Sequence, residues 1–293
     1  MPSWQGKSKG TPLGYRIFVV VLKTLGVRPA YYLLWFVSFY YLLFSRDSNH
    51  AILEVYRKHL KFGVLRSRFL LWKNYRLFGQ SMIDKIVMMS GVRNRFTFEF
   101  EGEDYLHEMV KAGKGGMLIS AHLGNWEIAG FLLKRIPAAI NIVMYDAEHE
   151  KIKNYLEGVT GKRNMNVILV KEDLSHIYAI SAALSRNELV CMHADRFLDG
   201  NRNLVHTFMG EAAAFPQGPF LLASRLDVPV TFVFAVKESA MHYHFSATKP
   251  VNYHLTDRKA GMMQALSKYV DVLEKQLRRY PAQWFNYYPF WKH

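Results

Sequence analysis

The protein has 293 residues, of which 38 are Lys or Arg and 24 are Asp or Glu, so its formal net charge is +14. Hydrophobic residues make up 50% of the chain and aromatic residues 15%, which provides material for a large core and excludes a disordered or collagen-like chain. The single cysteine, Cys191, excludes an intramolecular disulfide and predicts a reducing compartment. The basic excess predicts an anionic partner.

Two apolar runs dominate the first 46 residues. After a basic start, FVVVLKTLG at 18–26 is followed by YYLLWFVSFYYLLF at 31–44. The longer run is shorter than the roughly 20 residues that a helix needs to span a bilayer, and no signal-peptide cleavage site follows it. We therefore predict that residues 1–46 form a helical anchor that lies in or on a membrane, where Tyr and Trp favour the headgroup level. A single membrane span and a buried core helix are the alternatives.

The next segment, 47–92, has apolar residues at helical spacing and is predicted to be the helical lead-in of a second domain, 47–293. Between 57 and 76 its basic residues are interleaved with large aromatic and aliphatic ones. This combination favours an anionic membrane surface as the partner, and no nucleic acid is expected. The alternative is a solvated helix face whose apolar side belongs to the core.

Short apolar runs alternate with helical stretches from residue 96 onward. Phe96, Phe98 and Phe100 alternate with polar residues, which predicts a strand with one aromatic face. Because parallel neighbours need crossover connections, the alternation predicts an α/β domain with a mainly parallel central sheet flanked by helices. An antiparallel edge strand is predicted within 242–253 and a closing amphipathic helix at 258–279. The other predicted strands are 117–121, 138–145, 166–170, 188–193 and 228–236, with helices beginning near 124, 148, 174 and 216.

The strongest chemical signal is the segment from Lys114 to Glu127. An apolar strand ends at Ala121, and His122 follows it, at the edge where open α/β sheets bind ligands. Glu127 is expected on the helix that begins near Gly124, where it can orient the imidazole. A histidine held in this way can take a proton from a hydroxyl or an amine. Because the sequence has no G-x-S-x-G nucleophile elbow, we expect direct attack by an acceptor. The alternative is a capping or buried histidine beside a surface glutamate.

The segment AHLGNWE, from Ala121 to Glu127, resembles the HX4(D/E) motif of glycerolipid acyltransferases. Its H-x-G-N-W-E form resembles in particular that of the bacterial lipid A biosynthesis (lauroyl/myristoyl) acyltransferase family. Three further segments agree with this family in order and spacing: HADR at 193–196, FMG at 208–210 with FPQG at 215–218, and RYPAQWF at 279–285. The resemblance therefore extends over nearly the whole chain.

The resemblance implies an acyl transfer in which His122 is the general base and Glu127 orients it. The implied donor is a thioester of acyl carrier protein, with coenzyme A as the alternative, and no metal or cofactor is implied. Four residues are implied to bind substrate: Asn125, Asp195, Arg196 and Gly218. The guanidinium of Arg196 would hold a phosphate or a carboxylate, the alternative being a structural ion pair. The expected location is the cytoplasmic face of the bacterial inner membrane, where the positive charge would attract anionic lipids and an acidic carrier protein.

The acceptor implied by the resemblance is a lipid A-like glycolipid. Glu127 and the FPQG segment differ from the Asp and FPEG forms that are typical of phosphate acceptors. An amino-acid lipid or a polyene pigment as the acceptor, a thioesterase, and a non-catalytic lipid-binding protein of the inner membrane are the alternatives. The pairs His193/Asp195 and His242/His244 are interpreted as packing and not as metal sites, because residues two apart share one face of a strand.

Overall fold

The computed structural model describes residues 12–90, 94–126, 128, 135–144, 166–171, 173–197, 200 and 202–291. The predictions for residues 1–11, for Glu127 and for the helix beginning near 148 lie outside these residues. Within the described residues, no helix is both long enough and apolar enough to cross a bilayer.

Helices precede the sheet. They are α1 Pro12–Thr24, α2 Val27–Phe44, α3 Arg46–Glu54, a π-helical turn Val55–His59 and α4 Val64–Ser90. A reversal at Gly26, where φ is +88°, lets α1 and α2 lie side by side against α4. Their inner faces form one apolar cluster that reaches the sheet at Tyr243: Val19, Leu22, Val27, Ala30, Leu34, Ile83, Ile86 and Val87. The N-terminal helices are therefore packed on the domain that follows.

The core is a mainly parallel sheet, which confirms the predicted fold class. Its strands are β1 Thr97–Glu101, β2 Gly116–Ser120, β3 Ile140–Met144, β4 Asn166–Leu169, β5 Leu189–His193, β8 Val230–Ser239 and β9 His242–Ala247. The spatial order is β1-β9-β8-β2-β5-β3-β4, and neighbours are parallel except for β8 and β9. All residues of β2 are buried, as expected for a central parallel strand covered on both faces.

Helices flank the sheet in the described residues. They are α5 Glu103–Lys111, α6 Ser175–Ser185, α7 Gln217–Arg225 and α8 Arg258–Arg279. Helix α8 has the bounds predicted from its apolar stripe. It begins after Asp257, whose carboxylate accepts hydrogen bonds from the main-chain N–H groups of Lys259 and Ala260 and so caps the first turn.

Two features of the strands differ from the sequence prediction. Strand β9 is antiparallel to β8, as predicted, but it is not an edge strand, because β1 pairs with its outer side. Phe98 and Phe100 of β1 contact the ring of Phe245 on β9, and such aromatic pairs favour this long-range pairing. A hairpin of β6 Asn203–Phe208 and β7 Glu211–Pro216 was not predicted.

Candidate active site

The loop that follows β2 carries His122 and is bound by distant parts of the chain. Gly124 has φ +77°, and a Cβ at this position would lie 2.0 Å from the carbonyl oxygen of Ala235, so the turn requires glycine. The N–H of Asn125 donates to that same oxygen at 2.7 Å, and the N–H of Gly124 donates to the carbonyl of Gln283 at 2.8 Å. The position of His122 is therefore set by β8 and the C-terminal segment as well as by β2.

Asp195 holds the imidazole of His122 on one side. Its carboxylate accepts hydrogen bonds from Nδ1 of His122 at 2.8 Å and from the main-chain N–H of His122 at 2.9 Å. Burial alone would raise the pKa of Asp195, but the charge and hydrogen bond of a protonated His122, together with the charge of Arg196, lower this pKa below its ordinary value. Asp195 therefore stays ionised, keeps a proton on Nδ1, and makes Nε2 the nitrogen that can accept one.

This contact gives Asp195 a position that the sequence did not predict. The sequence assigned Asp195 to substrate binding, yet its side chain is 1% exposed and is bonded to His122. Asp195 thus supplies a carboxylate beside the imidazole, a role that the sequence assigned to Glu127. Glu127 itself lies outside the described residues, so its role stays a prediction.

The C-terminal segment holds the other side of the Asp195 carboxylate. Trp284 Nε1 donates to Oδ2 of Asp195 at 3.1 Å, and the hydroxyl of Tyr288 donates to the Asp195 carbonyl at 3.1 Å. The N–H of Phe285 donates to the carbonyl of His122 at 2.9 Å, so one segment fastens both residues. Sequence reasoning did not place Trp284 in the site, although it lies in the RYPAQWF segment that carries part of the resemblance.

A second histidine and a tryptophan surround the ring of His122. Its centroid lies 4.4 Å from the ring of His193 and 4.9 Å from that of Trp126. Burial, together with the charge of His122 when that ring is protonated, lowers the pKa of His193 to about 3, so His193 is neutral near pH 7. Ser120 and His193 are paired at the carboxyl ends of β2 and β5, and this register brings the two histidines together.

Asn125 fastens the loop to the interior. It is 2% exposed, and its Nδ2 donates to the carbonyl of Ser81 and to the hydroxyl of Tyr243, both at 3.2 Å. Its Oδ1 accepts from the N–H of Ile128 at 3.3 Å and so caps the helical turn that follows. These described contacts give Asn125 a structural role, and its contact with substrate stays a prediction.

The remaining predicted binding residues lie in different places. Arg196 follows β5 beside Asp195, and its guanidinium donates to the main-chain carbonyl of Phe285. Gly218 is the second residue of α7, and a Cβ there would meet no atom within 4 Å. The structure thus brings His122, Asp195 and Arg196 together, while the binding roles of Arg196 and Gly218 remain untested.

A group that could hold a metal ion lies away from this site. Within the described residues, Glu99, Glu238 and His242 bring one ligand atom each to within 4.8 Å of one another at the β1–β9 side of the sheet. Both carboxylates are exposed, and exposed acidic groups commonly cluster without an ion. None of these three residues makes any of the contacts described above around His122.

Helices α2 and α4 present large apolar side chains to solvent. We call this surface the N-terminal apolar face; it is joined across Trp35 and Trp72, whose ring centroids are 5.0 Å apart. Phe36 is 76% exposed and Leu65 83% exposed. Its other exposed members are Tyr32, Phe39, Tyr40, Leu43, Phe44 and Phe69, and the exposed basic residues on or near α2 and α4 include Arg28, Lys61, Arg66, Arg68 and Lys73. Patches of this kind are typical of interaction surfaces.

Comparison with known proteins adds an independent observation. The sequence model of a family described as bacterial lipid A biosynthesis acyltransferase matches residues 67–293. Phosphatidylinositol mannoside acyltransferases are similar to this chain at 25% identity over 193 residues, covering 64% of the chain for the Mycolicibacterium smegmatis protein and 65% for the Mycobacterium tuberculosis protein. The chain spans 60% and 58%, respectively, of the length of these two relatives.

Solved structures are also similar to this chain. One of them is the 1-acyl-sn-glycerophosphate acyltransferase of Thermotoga maritima, with 16% identity and a TM-score of 0.33. The match covers 80% of this chain and 97% of that one.

Proposed function

Since this chain belongs to the bacterial lipid A biosynthesis acyltransferase family, we propose that it transfers a fatty acyl chain from a carrier thioester to a hydroxyl or amine of a membrane lipid. The family match over residues 67–293 confirms the family predicted from the motifs and supports the acyltransferase class. The observation that carries the mechanism is the 2.8 Å hydrogen bond between Nδ1 of His122 and the buried carboxylate of Asp195.

His122 acts as the general base in this proposal. Nε2 takes the proton of the acceptor O–H or N–H while the acceptor atom attacks the thioester carbonyl carbon. The tetrahedral intermediate then collapses, the C–S bond breaks, and the leaving thiolate receives the proton from the imidazolium. Asp195 keeps Nδ1 protonated throughout and stabilises the imidazolium as it forms.

Glu127 is proposed as the second carboxylate of the site. This proposal rests on the HX4E motif in the sequence. The contact between Asp195 and His122 is compatible with a second carboxylate from Glu127. Two carboxylates near one imidazole would both favour its charged form. Their contributions are separable, because Asp195→Asn removes the charge of the carboxylate that faces Nδ1 whereas Glu127→Gln leaves that carboxylate and its hydrogen bond in place.

The proposed acceptor is a lipid A-like glycolipid and the proposed donor is acylated acyl carrier protein. Family membership supports the first, and the similarity to proteins described as phosphatidylinositol mannoside acyltransferases also favours a glycolipid acceptor. The net charge of +14 supports the second, because carrier proteins are acidic. Arg196, beside the catalytic pair, is proposed to hold an anionic group of one substrate.

Membrane association belongs to the same proposal. The N-terminal apolar face, with Arg66 and Arg68 at its α4 end, has the composition of a surface that enters the headgroup region of an anionic bilayer. We propose that it holds the enzyme at the cytoplasmic face of the bacterial inner membrane, where lipid acceptors and a soluble carrier protein meet.

The proposal is tested by mass spectrometry of the lipid extract from cells that lack the gene and carry either the wild type or Asp195→Asn. We expect one lipid class to lose an acyl chain and only the wild type to restore it fully. In vitro, lauroyl-acyl carrier protein is supplied with a lipid A precursor or a phosphatidylinositol mannoside in micelles. Release of free laurate at the same rate without an acceptor would make the protein a thioesterase, and no reaction together with no lipid change would leave a non-catalytic lipid-binding protein.

A further inference from the structure

A fully buried polar cluster lies behind the catalytic loop. It contains an ion pair between Lys237 of β8 and Asp84 of α4, whose side chains are 4% and 0% exposed. Two tyrosines complete it, Tyr31 from α2 and Tyr243 from β9, which are 7% and 0% exposed. The cluster thus joins the N-terminal helices to the two antiparallel strands of the sheet.

The hydrogen bonds of the cluster converge on the carboxylate. The hydroxyls of Tyr31 and Tyr243 both donate to Asp84, and Lys237 Nζ donates to Asp84 and, at 2.7 Å, to the hydroxyl of Tyr31. Burial raises the pKa of both tyrosine hydroxyls well above the ordinary value, so that they remain protonated donors. The carboxylate is therefore held by three donors from three different elements.

One route connects this cluster to His122 through side chains. The hydroxyl that Tyr243 directs at Asp84 also accepts a hydrogen bond from Nδ2 of Asn125 at 3.2 Å. Asn125 is three residues after His122 in the loop whose main chain is bonded to Ala235. A displacement of Tyr243 therefore acts directly on the loop that carries the base.

A second route runs through the main chain of Lys237. Gln283 brackets this residue, because its Oε1 accepts from the Lys237 N–H at 2.8 Å and its Nε2 donates to the Lys237 carbonyl at 2.9 Å. The carbonyl of Gln283 accepts from Gly124, and the next residue is Trp284, which donates to Asp195. The ion pair is thus connected, through Gln283, to the hydrogen bonds that hold both His122 and Asp195.

Stability alone gives little reason for such an arrangement. Desolvating two charges costs about as much as their attraction returns, and well-packed apolar residues of similar volume are often as stable or more stable. What a satisfied buried network provides is a fixed geometry, because hydrogen bonds are directional and every member has a partner. The element-to-element distances beneath the loop are set by directional bonds and not by apolar contact alone.

We propose that Tyr31, Asp84, Lys237 and Tyr243 form a positioning centre that holds His122 and Asp195 in their reactive arrangement, so that docking of α2 is part of the catalytic geometry. This inference rests on the proposed acyl transfer. None of the four residues contacts the reacting atoms in this scheme, and they act through Asn125, Gln283 and Trp284. Loss of a hydroxyl in the centre is therefore expected to lower kcat while KM stays constant.

The first test compares Tyr243→Phe with Tyr253→Phe. Tyr253 is also buried, at 2% exposed, but it belongs to the other large apolar cluster, so it controls for removal of a tyrosine hydroxyl. With lauroyl-acyl carrier protein and a lipid A precursor, we expect kcat per folded enzyme to fall about 10-fold in Tyr243→Phe with KM unchanged, the loss of about one hydrogen bond to a charged group. Tyr253→Phe should keep the wild-type kcat. A wild-type kcat in Tyr243→Phe, or a loss equal to that in Tyr253→Phe, overturns the inference.

A second variant and a readout independent of turnover keep the inference testable if one protein is unstable or if the assay fails. Tyr31→Phe removes the α2 contact and leaves Tyr243 intact. In ¹⁵N-histidine NMR spectra, the Nδ1 signal of His122, assigned with His122→Ala, should shift in Tyr31→Phe and in Tyr243→Phe but not in Tyr253→Phe. Absence of acyl transfer by the wild type would contradict the proposed function alone, whereas an unshifted His122 signal in both variants would contradict the positioning centre.

Discussion

The edge of the sheet that carries His122 and the N-terminal apolar face are built on opposite principles. At the sheet edge, the Asp195 carboxylate has a donor at each oxygen, and these donors come from the loop after β2 and from the C-terminal segment. On the N-terminal apolar face, large side chains such as Phe36 and Leu65 are exposed, and what they share is chemical character and not a fixed partner. At the sheet edge, hydrogen bonds fix the positions of individual atoms. On the N-terminal apolar face, the side chains share only a preference for an apolar environment. Substitutions should therefore have sharp, residue-specific effects in the first region and graded, additive ones in the second.

The largest effect is expected at the base. His122→Ala should lower kcat by about 10²- to 10⁴-fold, because no positioned group would take the proton of the acceptor. Binding to anionic vesicles should be unchanged, since His122 is not part of the N-terminal apolar face. His107→Ala, an exposed histidine on α5, is the control and should match the wild type in both assays. Near wild-type turnover in His122→Ala would contradict the mechanism.

A smaller loss is expected one contact further from the reacting atoms. Trp284→Phe keeps an aromatic ring but removes the N–H that bonds to Asp195, so kcat should fall about 10-fold, in line with a hydrogen bond to a charged group. Trp291→Phe is matched to it, because the indole N–H of Trp291 donates at 3.1 Å to the carbonyl of Phe208, outside the catalytic pair. Equal activities of the two variants would mean that Asp195 is oriented without Trp284.

The graded region is tested by charge substitutions. Phe36→Asp and Leu65→Asp should each weaken sedimentation with phosphatidylglycerol vesicles by about 10-fold, since burying a large apolar side chain is worth about 1.5–3 kcal/mol. In the double variant, vesicle binding should fall by the product of the two single factors. The kcat measured in detergent micelles should be preserved. Val205→Asp changes an equally prominent apolar side chain, 65% exposed on β6, and should leave vesicle binding intact. Equal losses in all three single variants would show that the effect is not specific to this face.

The smallest effect concerns acid stability. The folded-state pKa of His193 is about 3, below its ordinary value of 6.5, so the unfolded chain binds more protons between these pH values. Above about pH 6.5, His193 is neutral in both states and its pKa shift does not change the free energy of unfolding. Below this pH, the free energy of unfolding declines as the pH falls toward 3. His193→Gln should flatten the decline of the urea midpoint between pH 7 and pH 5 while changing the midpoint at pH 7 less. A decline as steep as that of the wild type would show that other groups cause it.

The same contrast explains what the sequence could predict. The apolar strand that ends just before His122 is a local pattern, and so is the stripe that defines α8, and both are present in the structure. The contact between His122 and Asp195 joins residues 73 positions apart and depends on the parallel register of β2 with β5. The bond between Asp195 and Trp284 depends on a crossing of the C-terminal segment 89 residues later. The spacing of apolar residues in the sequence contains no information on either contact. Asp195 was therefore assigned to substrate binding, and Trp284 was not placed in the site.

The distance in sequence between Asp195 and Trp284 also sets an order of events during synthesis. A ribosome adds roughly 5–20 residues per second, so the 89 residues between them take about 4 to 18 s to translate. For that interval a nascent chain carries His122 and Asp195 but lacks the indole that holds the carboxylate. A nascent chain that has not yet reached Trp284 therefore lacks part of the support of Asp195, even though it already contains the full HLGNWE motif.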